Sequence, residues 1–223
     1  MKKDNLYNYH IAALAVGVVA ISGVEALLAP PYFVKSAIKI AIFGGLMLMF
    51  SLMGYPVLKT CFERAPKQRI KLAAILFLAV FGVIWAAYFV AAPFIDANQI
   101  TSALMGKEGI TLASFLPVVL YISFVNSLLE ECFFRGFGYL TLRKNTSNTF
   151  AHVYSALLFS LYHVFILDGW FTLPIFLLIT AALFVAGLFF NFLDSKGSVW
   201  PSYLVHMAAN FGINTIGVLL MTK

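Results

Sequence analysis

Three short groups of polar residues interrupt the apolar stretches of this chain, and they contain the residue types that hydrolytic chemistry uses. In chain order they are Glu130-Glu131-x-x-x-Arg135, Phe159-x-x-x-His163 and His206-x-x-x-Asn210. Charged groups are costly in apolar surroundings, so those that are present are candidates for function. The site is therefore sought among these residues.

The spacing within each group indicates what the side chains could do. Glu131 and Arg135 are four residues apart and can pair on one face of a helix. His206 and His163 supply imidazoles, and a carboxylate such as Glu130 beside an imidazole can act as a general base on water. A His–Asn pair with a spacing of four can donate hydrogen bonds to the oxyanion that forms when water attacks an amide.

Composition indicates that membrane-spanning helices position these residues. Hydrophobic residues make up 62% of the 223 residues, charged residues only 11%, and the mean hydropathy is +0.93. We predict an all-α, polytopic bundle of seven spans, or eight with a re-entrant segment, because each apolar run is close to the ~20 residues that a span needs. The predicted spans are Ile11–Leu28, Ile40–Leu58, Leu72–Pro93, Thr111 to beyond Leu129, Asn148–Leu167, Phe171–Phe192 and Val199–Met221. Residues 1–223 are expected to form one integral membrane domain, with the motif-bearing core at about 111–221.

The depth of the three groups in the membrane depends on where the fourth span ends. If its helix stopped at Leu129, Glu130 would lie at one surface and His163 near the other. If it continues to Arg143, Glu130 lies ~20 Å from that end and His163 ~22 Å from Asn148, at 1.5 Å per residue. The long helix therefore brings the groups to similar depths, although Gly136 and Gly138 could mark a kink.

The distribution of Lys and Arg predicts the orientation, because basic connections tend to stay in the cytoplasm. With the N-terminus inside, the inner side carries eleven of them: Lys2, Lys3, Lys59, Arg64, Lys67, Arg69, Lys71, Arg135, Arg143, Lys144 and Lys196. The outer side carries four, Lys35, Lys39, Lys107 and Lys223, and Glu25 is expected to reach water there. We predict a multi-pass protein of the cell membrane with a cytoplasmic N-terminus. The bilayer is its partner and nucleic acid is not, because the basic residues lie between spans rather than on one face.

Together, the three groups resemble the signature motifs of the CPBP family, which contains CAAX-prenyl proteases and bacteriocin-processing enzymes and is also called the Abi family. The resemblance covers Glu130 to Asn210. It implies an intramembrane endopeptidase in which Glu130 activates water with help from His163. It further implies that His206 and Asn210 stabilise the oxyanion, and that Glu131 and Arg135 support the site.

The need for a metal is left open by these residues. Glu130, His163 and His206 could supply a two-histidine, one-carboxylate zinc set with an open position for water. Against this, the sequence contains no HExxH pair and Asn210 is a poor zinc ligand, so metal-free activation of water is favoured over zinc. Cys61 and Cys132 share no short spacing and indicate neither a disulfide framework nor a cysteine zinc site.

The expected substrates are membrane-associated proteins or peptides, such as lipidated CAAX-type C-termini or leader peptides. Two alternatives belong to other functional classes. A proton- or ion-coupled carrier would use the same Glu and His residues as a relay, although no internal repeat supports it. A non-catalytic immunity or regulatory protein would retain the residues without cleaving anything.

Overall fold

The computed structural model describes residues 3–222, with side chains from Asn8 to Thr222. Seven helices in this range are long and apolar enough to cross a membrane, which confirms the predicted all-α bundle. They are α1 (Asn8–Leu28), α2 (Tyr32–Leu52), α3 (Lys67–Phe94), α4 (Leu112–Lys144), α5 (Asn148–Ile166), α6 (Leu173–Lys196) and α7 (Trp200–Met221). Two short helices, Val57–Cys61 and Ala97–Ser102, lie in the connections, and no strand occurs between residues 3 and 222.

Local sequence signals set where several of these helices begin. Ser147 caps α5 by accepting a hydrogen bond from the Phe150 N–H. Thr111 and Ser114 form a reciprocal capping box at the start of α4. Proline occupies the first turn of α6 and of α7, where its missing N–H leaves no helical bond unmade. These caps and prolines explain why the predicted starts of α4 to α7 lie within a few residues of the observed ones.

The predicted boundaries of the second span were wrong. We expected Ile40–Leu58, whereas α2 runs from Tyr32 to Leu52 and so includes Lys35 and Lys39. Both ammonium groups are paired with carboxylates, which lets them lie within a helix that a hydropathy pattern would start later. Glu25 is also buried, in an ion pair with Lys35, rather than in water. At its other end α2 stops before Gly54, whose φ of 92° is readily adopted only by glycine.

The spans alternate in direction, so the connections fall at two ends of the bundle. We call the end with residues 53–66, 145–147 and 197–199 the basic end, and the end with residues 29–31, 95–111 and 167–172 the far end. Because Lys35 and Lys39 lie within α2 and Arg135 is buried within α4, these three residues do not belong to either end. Lys2 and Lys223, which entered the orientation argument, lie outside the described residues.

Helix α4 is the central element of the bundle. It has 33 residues, so it continues through Gly136 and Gly138 as the long-helix prediction required. At 1.5 Å per residue it would reach about 50 Å, more than the ~30 Å hydrocarbon core. Every residue from 130 to 142 is buried. The polar side chains of this segment must therefore find their partners within the protein.

The buried segment Glu131–Thr141, a third of α4, is π-helical, with hydrogen bonds to the fifth residue along the chain. Side chains from other elements donate additional hydrogen bonds to its carbonyls. Three carbonyl oxygens of the segment accept in this way: that of Phe137 from His10 Nε2 (3.1 Å), that of Phe134 from Ser155 Oγ (2.7 Å) and that of Cys132 from Cys61 Sγ (3.8 Å). Within the segment, Thr141 Oγ1 donates to the Gly136 carbonyl oxygen at 2.7 Å. Irregular backbone at membrane depth needs protein partners of this kind.

Aromatic and glycine contacts pack the other helices around this segment. The ring of Phe43 in α2 stacks on Phe133 with a centroid distance of 3.8 Å. The ring of His10 in α1 stacks on Phe137 at 4.4 Å. Helices α5 and α6 approach closely at Gly187, where an added Cβ would lie 2.9 Å from the Ala156 Cα. The bundle thus depends on a missing side chain at this crossing.

Gly187→Leu is expected to destabilise the bundle by about 1–3 kcal/mol, because the new side chain would overpack the α5–α6 crossing. The measurement is thermal unfolding of detergent-purified protein followed by circular dichroism. Gly82→Leu is the matched control, since a Cβ at Gly82 in α3 would meet nothing within 4 Å. Equal melting temperatures for the two variants would contradict the close crossing.

Candidate active site

Glu130 lies in α4 with 2% of its surface exposed, and one of its carboxylate oxygens is surrounded by donors. Its Oε1 accepts hydrogen bonds from Asn126 Nδ2 at 2.9 Å, from Tyr162 Oη at 3.1 Å and from Lys39 Nζ at 3.2 Å. These donors come from α4, α5 and α2. Three helices therefore fix one oxygen of this carboxylate.

The other oxygen of Glu130 has a different environment. Oε2 is buried and forms no hydrogen bond with any residue from 3 to 222. His206 Nε2 lies 3.8 Å from it. Because that distance exceeds a direct hydrogen bond, Oε2 keeps its capacity to accept a proton.

The imidazole of His206 connects the two adjacent glutamates. Its Nδ1 lies 2.7 Å from Glu131 Oε1, while its Nε2 faces Glu130. A carboxylate only accepts hydrogen bonds, so Nδ1 carries the proton of this contact. Glu131 thereby fixes the orientation of the ring and the nitrogen that it presents to Glu130.

Arg135 balances the charge of Glu131 deep in the bundle. Its Nε lies 3.2 Å from Glu131 Oε2, and both side chains have 0% exposure. The guanidinium carbon lies 4.1 Å from the ring centroid of Phe159 and 4.9 Å from that of Phe190. Aromatic faces attract cations, and an ion pair so deeply buried is strongly coupled to folding.

His163 lies beside Glu130 near the far end of α5. Its Nδ1 is 2.7 Å from the Phe159 carbonyl oxygen, which can only accept, so Nδ1 donates this hydrogen bond. In the neutral ring, Nε2 is then the nitrogen that can accept a hydrogen bond. The ring interacts electrostatically with Glu130 and is half-buried. His163 is thus more accessible than either glutamate.

Asn210 lies one helical turn from His206 on α7, as the spacing predicts, but its amide contacts another group. Its Nδ2 donates to Ser127 Oγ at 2.7 Å and, at 3.5 Å, to the Ile122 carbonyl. Both partners belong to α4, upstream of Glu130. The predicted residues Glu130, Glu131, Arg135 and His206 thus form one cluster, and Asn210 borders it.

The donor groups do not fit a zinc ion. No three His, Cys, Asp or Glu side chains are arranged to hold a metal within residues 3–222. In addition, Lys39 places an ammonium 3.2 Å from Glu130, where it would repel a second cation on the same carboxylate.

Three residues that the sequence did not assign to the site also contribute. Lys39, Asn126 and Tyr162 bind Glu130. Asp194, near the end of α6, is also buried and accepts hydrogen bonds from Ser202 N (3.0 Å) and Oγ (2.5 Å) in the first turn of α7. Asn126, four residues before Glu130, and Tyr162, next to His163, had a spacing signal. The pairing of Lys39 with Glu130 had none.

Comparison with known protein families shows that part of this chain is similar to one of them. Residues 112–212 match the family model described as type II CAAX prenyl endopeptidase Rce1-like. This match confirms the resemblance predicted from the three motifs, and we call residues 112–212 the Rce1-like segment. The segment contains the whole of α4, α5 and α6 and the part of α7 that carries His206 and Asn210. No curated protein and no solved structure matched the chain.

Arg135→Met is expected to destabilise the protein by about 3–5 kcal/mol, because it leaves the Glu131 carboxylate buried without its guanidinium partner. Thermal unfolding in detergent is the measurement. The double variant Glu131→Gln/Arg135→Met removes both charges and should recover much of the loss. If the double variant were no more stable than Arg135→Met, the ion pair would not be the cause.

Proposed function

We propose that this chain is an intramembrane endopeptidase that hydrolyses peptide bonds of membrane-associated, CAAX-type substrates. The Rce1-like match supports a CAAX-type intramembrane endopeptidase in general, and the seven apolar helices support an integral membrane protein. The observation that carries the site assignment is the asymmetry of Glu130, with one oxygen held by three donors and the other without a hydrogen bond to the described residues.

In the proposed reaction Glu130 is the general base. Its Oε2 takes a proton from water as the water oxygen attacks the carbonyl carbon of the scissile amide. The tetrahedral intermediate then collapses, the C–N bond breaks, and the proton passes to the leaving amine. The products are a new carboxylate and a new amine, and Glu130 returns to its starting form.

His206 would stabilise the negative charge that develops on the substrate oxygen. Hydrogen-bond donors fixed in a water-poor site are effective at this task because they need no reorganisation during the reaction. Glu131 accepts the Nδ1 proton at 2.7 Å, so Nε2 can donate a hydrogen bond only when the ring is an imidazolium, and its proton would then point towards the Glu130 side of the site. Glu131 and Arg135 act through His206 and are positioning residues in this proposal.

Asn210 and His163 have supporting roles in the same proposal. The Asn210 amide has two hydrogens, and only the bond to Ser127, at 2.7 Å, is short. The contact with the Ile122 carbonyl is at the limit of a hydrogen bond, so its hydrogen can be given to the oxyanion. His163 directs its Nδ1 at the backbone, which leaves Nε2 to accept a hydrogen bond from the attacking water.

Glu130→Gln is expected to reduce turnover by about 10²–10⁴-fold, because the amide cannot take a proton from water. The assay is cleavage of membrane-anchored peptides, including prenylated CAAX peptides, by detergent-purified protein. Glu63→Gln is the matched control, since Glu63 is exposed in the connection after Val57–Cys61.

Turnover by Glu130→Gln equal to that of the wild type would contradict the assignment of Glu130 as the base. If neither protein cleaves any peptide, the carrier and the non-catalytic protein become the better hypotheses. Melting temperatures of both variants close to that of the wild type would exclude unfolding as the cause of a loss.

We further propose that the basic end lies on the cytoplasmic side of the cell membrane. The N-terminus would then also be cytoplasmic. A membrane-impermeant maleimide added to intact cells should label Asn98→Cys at the far end but not Glu63→Cys at the basic end. Both positions are exposed, and the native Cys61 and Cys132 are buried. The reverse labelling pattern would contradict the proposed orientation.

A further inference from the structure

Lys39 is the cation beside the proposed catalytic carboxylate, and it comes from outside the Rce1-like segment. It lies seven residues after the start of α2, which is about 10 Å along the helix. Its side chain is 13% exposed and its Nζ is 3.2 Å from Glu130 Oε1. Burying a lysine at this depth costs free energy unless its charge is paired, and such residues are candidates for function.

Several contacts fix the position of the Lys39 ammonium. Its Nζ donates to Asn126 Oδ1 at 2.6 Å, and Asn126 in turn donates its Nδ2 to the same Glu130 oxygen at 2.9 Å. The ammonium also lies 5.0 Å from the centroid of the Tyr162 ring, whose hydroxyl is the third donor to that oxygen. Lys39, Asn126 and Tyr162 therefore form one connected set around Glu130 Oε1.

This set is distinct from the other buried ion cluster on α2. Lys35, one turn earlier, pairs with Glu25 at 2.9 Å and with Glu108 at 2.8 Å, which join α1 and the far-end connection. Glu25 also pairs with Lys107 at 3.4 Å. The Lys35 cluster thus has its own carboxylates near the far end, whereas Lys39 is directed at Glu130.

We propose that Lys39 is a positioning residue for the general base. Together with Asn126 and Tyr162 it holds Glu130 Oε1, so that the carboxylate cannot rotate and Oε2 is the oxygen presented to water and to His206. The inference rests on the proposed function of Glu130. It adds that a residue of α2, outside the matched segment, is needed for the site to work.

Loss of a residue that fixes the orientation of Glu130 should affect turnover more than substrate binding. Oε1 faces Lys39 rather than the substrate, so the loss of Lys39 leaves substrate contacts in place while Glu130 samples unproductive orientations. Misplacement of a reacting group by about 1 Å can cost on the order of 10²-fold in rate. We therefore expect Lys39→Met to reduce kcat by about 10²-fold and to change KM by less than about threefold.

The test compares Lys39→Met, Lys39→Gln and Lys39→Arg with the wild type in the cleavage assay described for Glu130→Gln. Arg keeps the charge and the donors, so the kcat of Lys39→Arg should exceed that of Lys39→Met by at least about tenfold. Gln keeps only a donor, so the gain in kcat of Lys39→Gln over Lys39→Met should be smaller. Lys71→Met is the matched control, because Lys71 is exposed at the basic end of α3. Lys71→Met should leave kcat and KM unchanged.

A thermal-stability cycle separates positioning from folding. Lys39→Met leaves the Glu130 carboxylate buried without its cationic partner and should lower the melting temperature, and the double variant Lys39→Met/Glu130→Gln should recover most of that loss. If Lys39→Met does not fold, Lys39→Gln provides the kinetic comparison. A kcat loss that remains when the melting temperature is within a few degrees of the wild type supports positioning.

The outcomes distinguish this inference from the proposed function. Cleavage by the wild type with unchanged kcat in Lys39→Met and Lys39→Gln would overturn the positioning role and leave Glu130 as the base. A rise in KM at constant kcat would also overturn it, because Lys39 would then bind substrate. No cleavage by the wild type would overturn the proposed function and the positioning role with it.

Discussion

The cost of placing carboxylates in the interior of a membrane-sized bundle governs the arrangement of this protein. Glu130 and Glu131 are adjacent in the chain and both are almost completely buried. Two neighbouring carboxylates can be buried together only if each finds its own compensation. Lys39 compensates Glu130 and Arg135 compensates Glu131. His206 lies between the two glutamates. The positions of α2, α4 and α7 relative to one another follow from these contacts.

The pairing of charges also explains which sequence predictions were right. The long α4 was predictable because the depths of Glu130, His163 and His206 agree only if the helix continues past Gly138. The number of spans was predictable because apolar runs of membrane length are hard to place elsewhere. The start of α2 was not predictable, because hydropathy assigns Lys35 and Lys39 to water whether or not they have partners. Their carboxylate partners come from α1, α4 and the far-end connection, and two of the three, Glu108 and Glu130, are more than 70 residues away in sequence.

In the candidate site, too, contacts within one helix were predictable from the sequence and contacts between helices were not. The spacing of four within Glu131–Arg135 places those two side chains in contact, as the sequence indicated. The spacing of four within His206–Asn210 places both on one side of α7, but Asn210 donates to Ser127, a partner that spacing alone cannot identify. Lys39 has no motif around it. Its role depends on a tertiary contact between α2 and α4, and sequence patterns describe single elements better than contacts between them.

The π-helical segment of α4 has a consequence for how sequences of this type are compared. A helical wheel drawn at 3.6 residues per turn assigns each residue to a face, and hydrogen bonds to the fifth residue imply a wider turn than that. Across Glu131–Thr141 the assignment therefore drifts, and all eleven residues are buried whichever face a wheel gives them. Alignments or designs that score this stretch as an ordinary amphipathic helix would misjudge which of its positions tolerate a polar substitution.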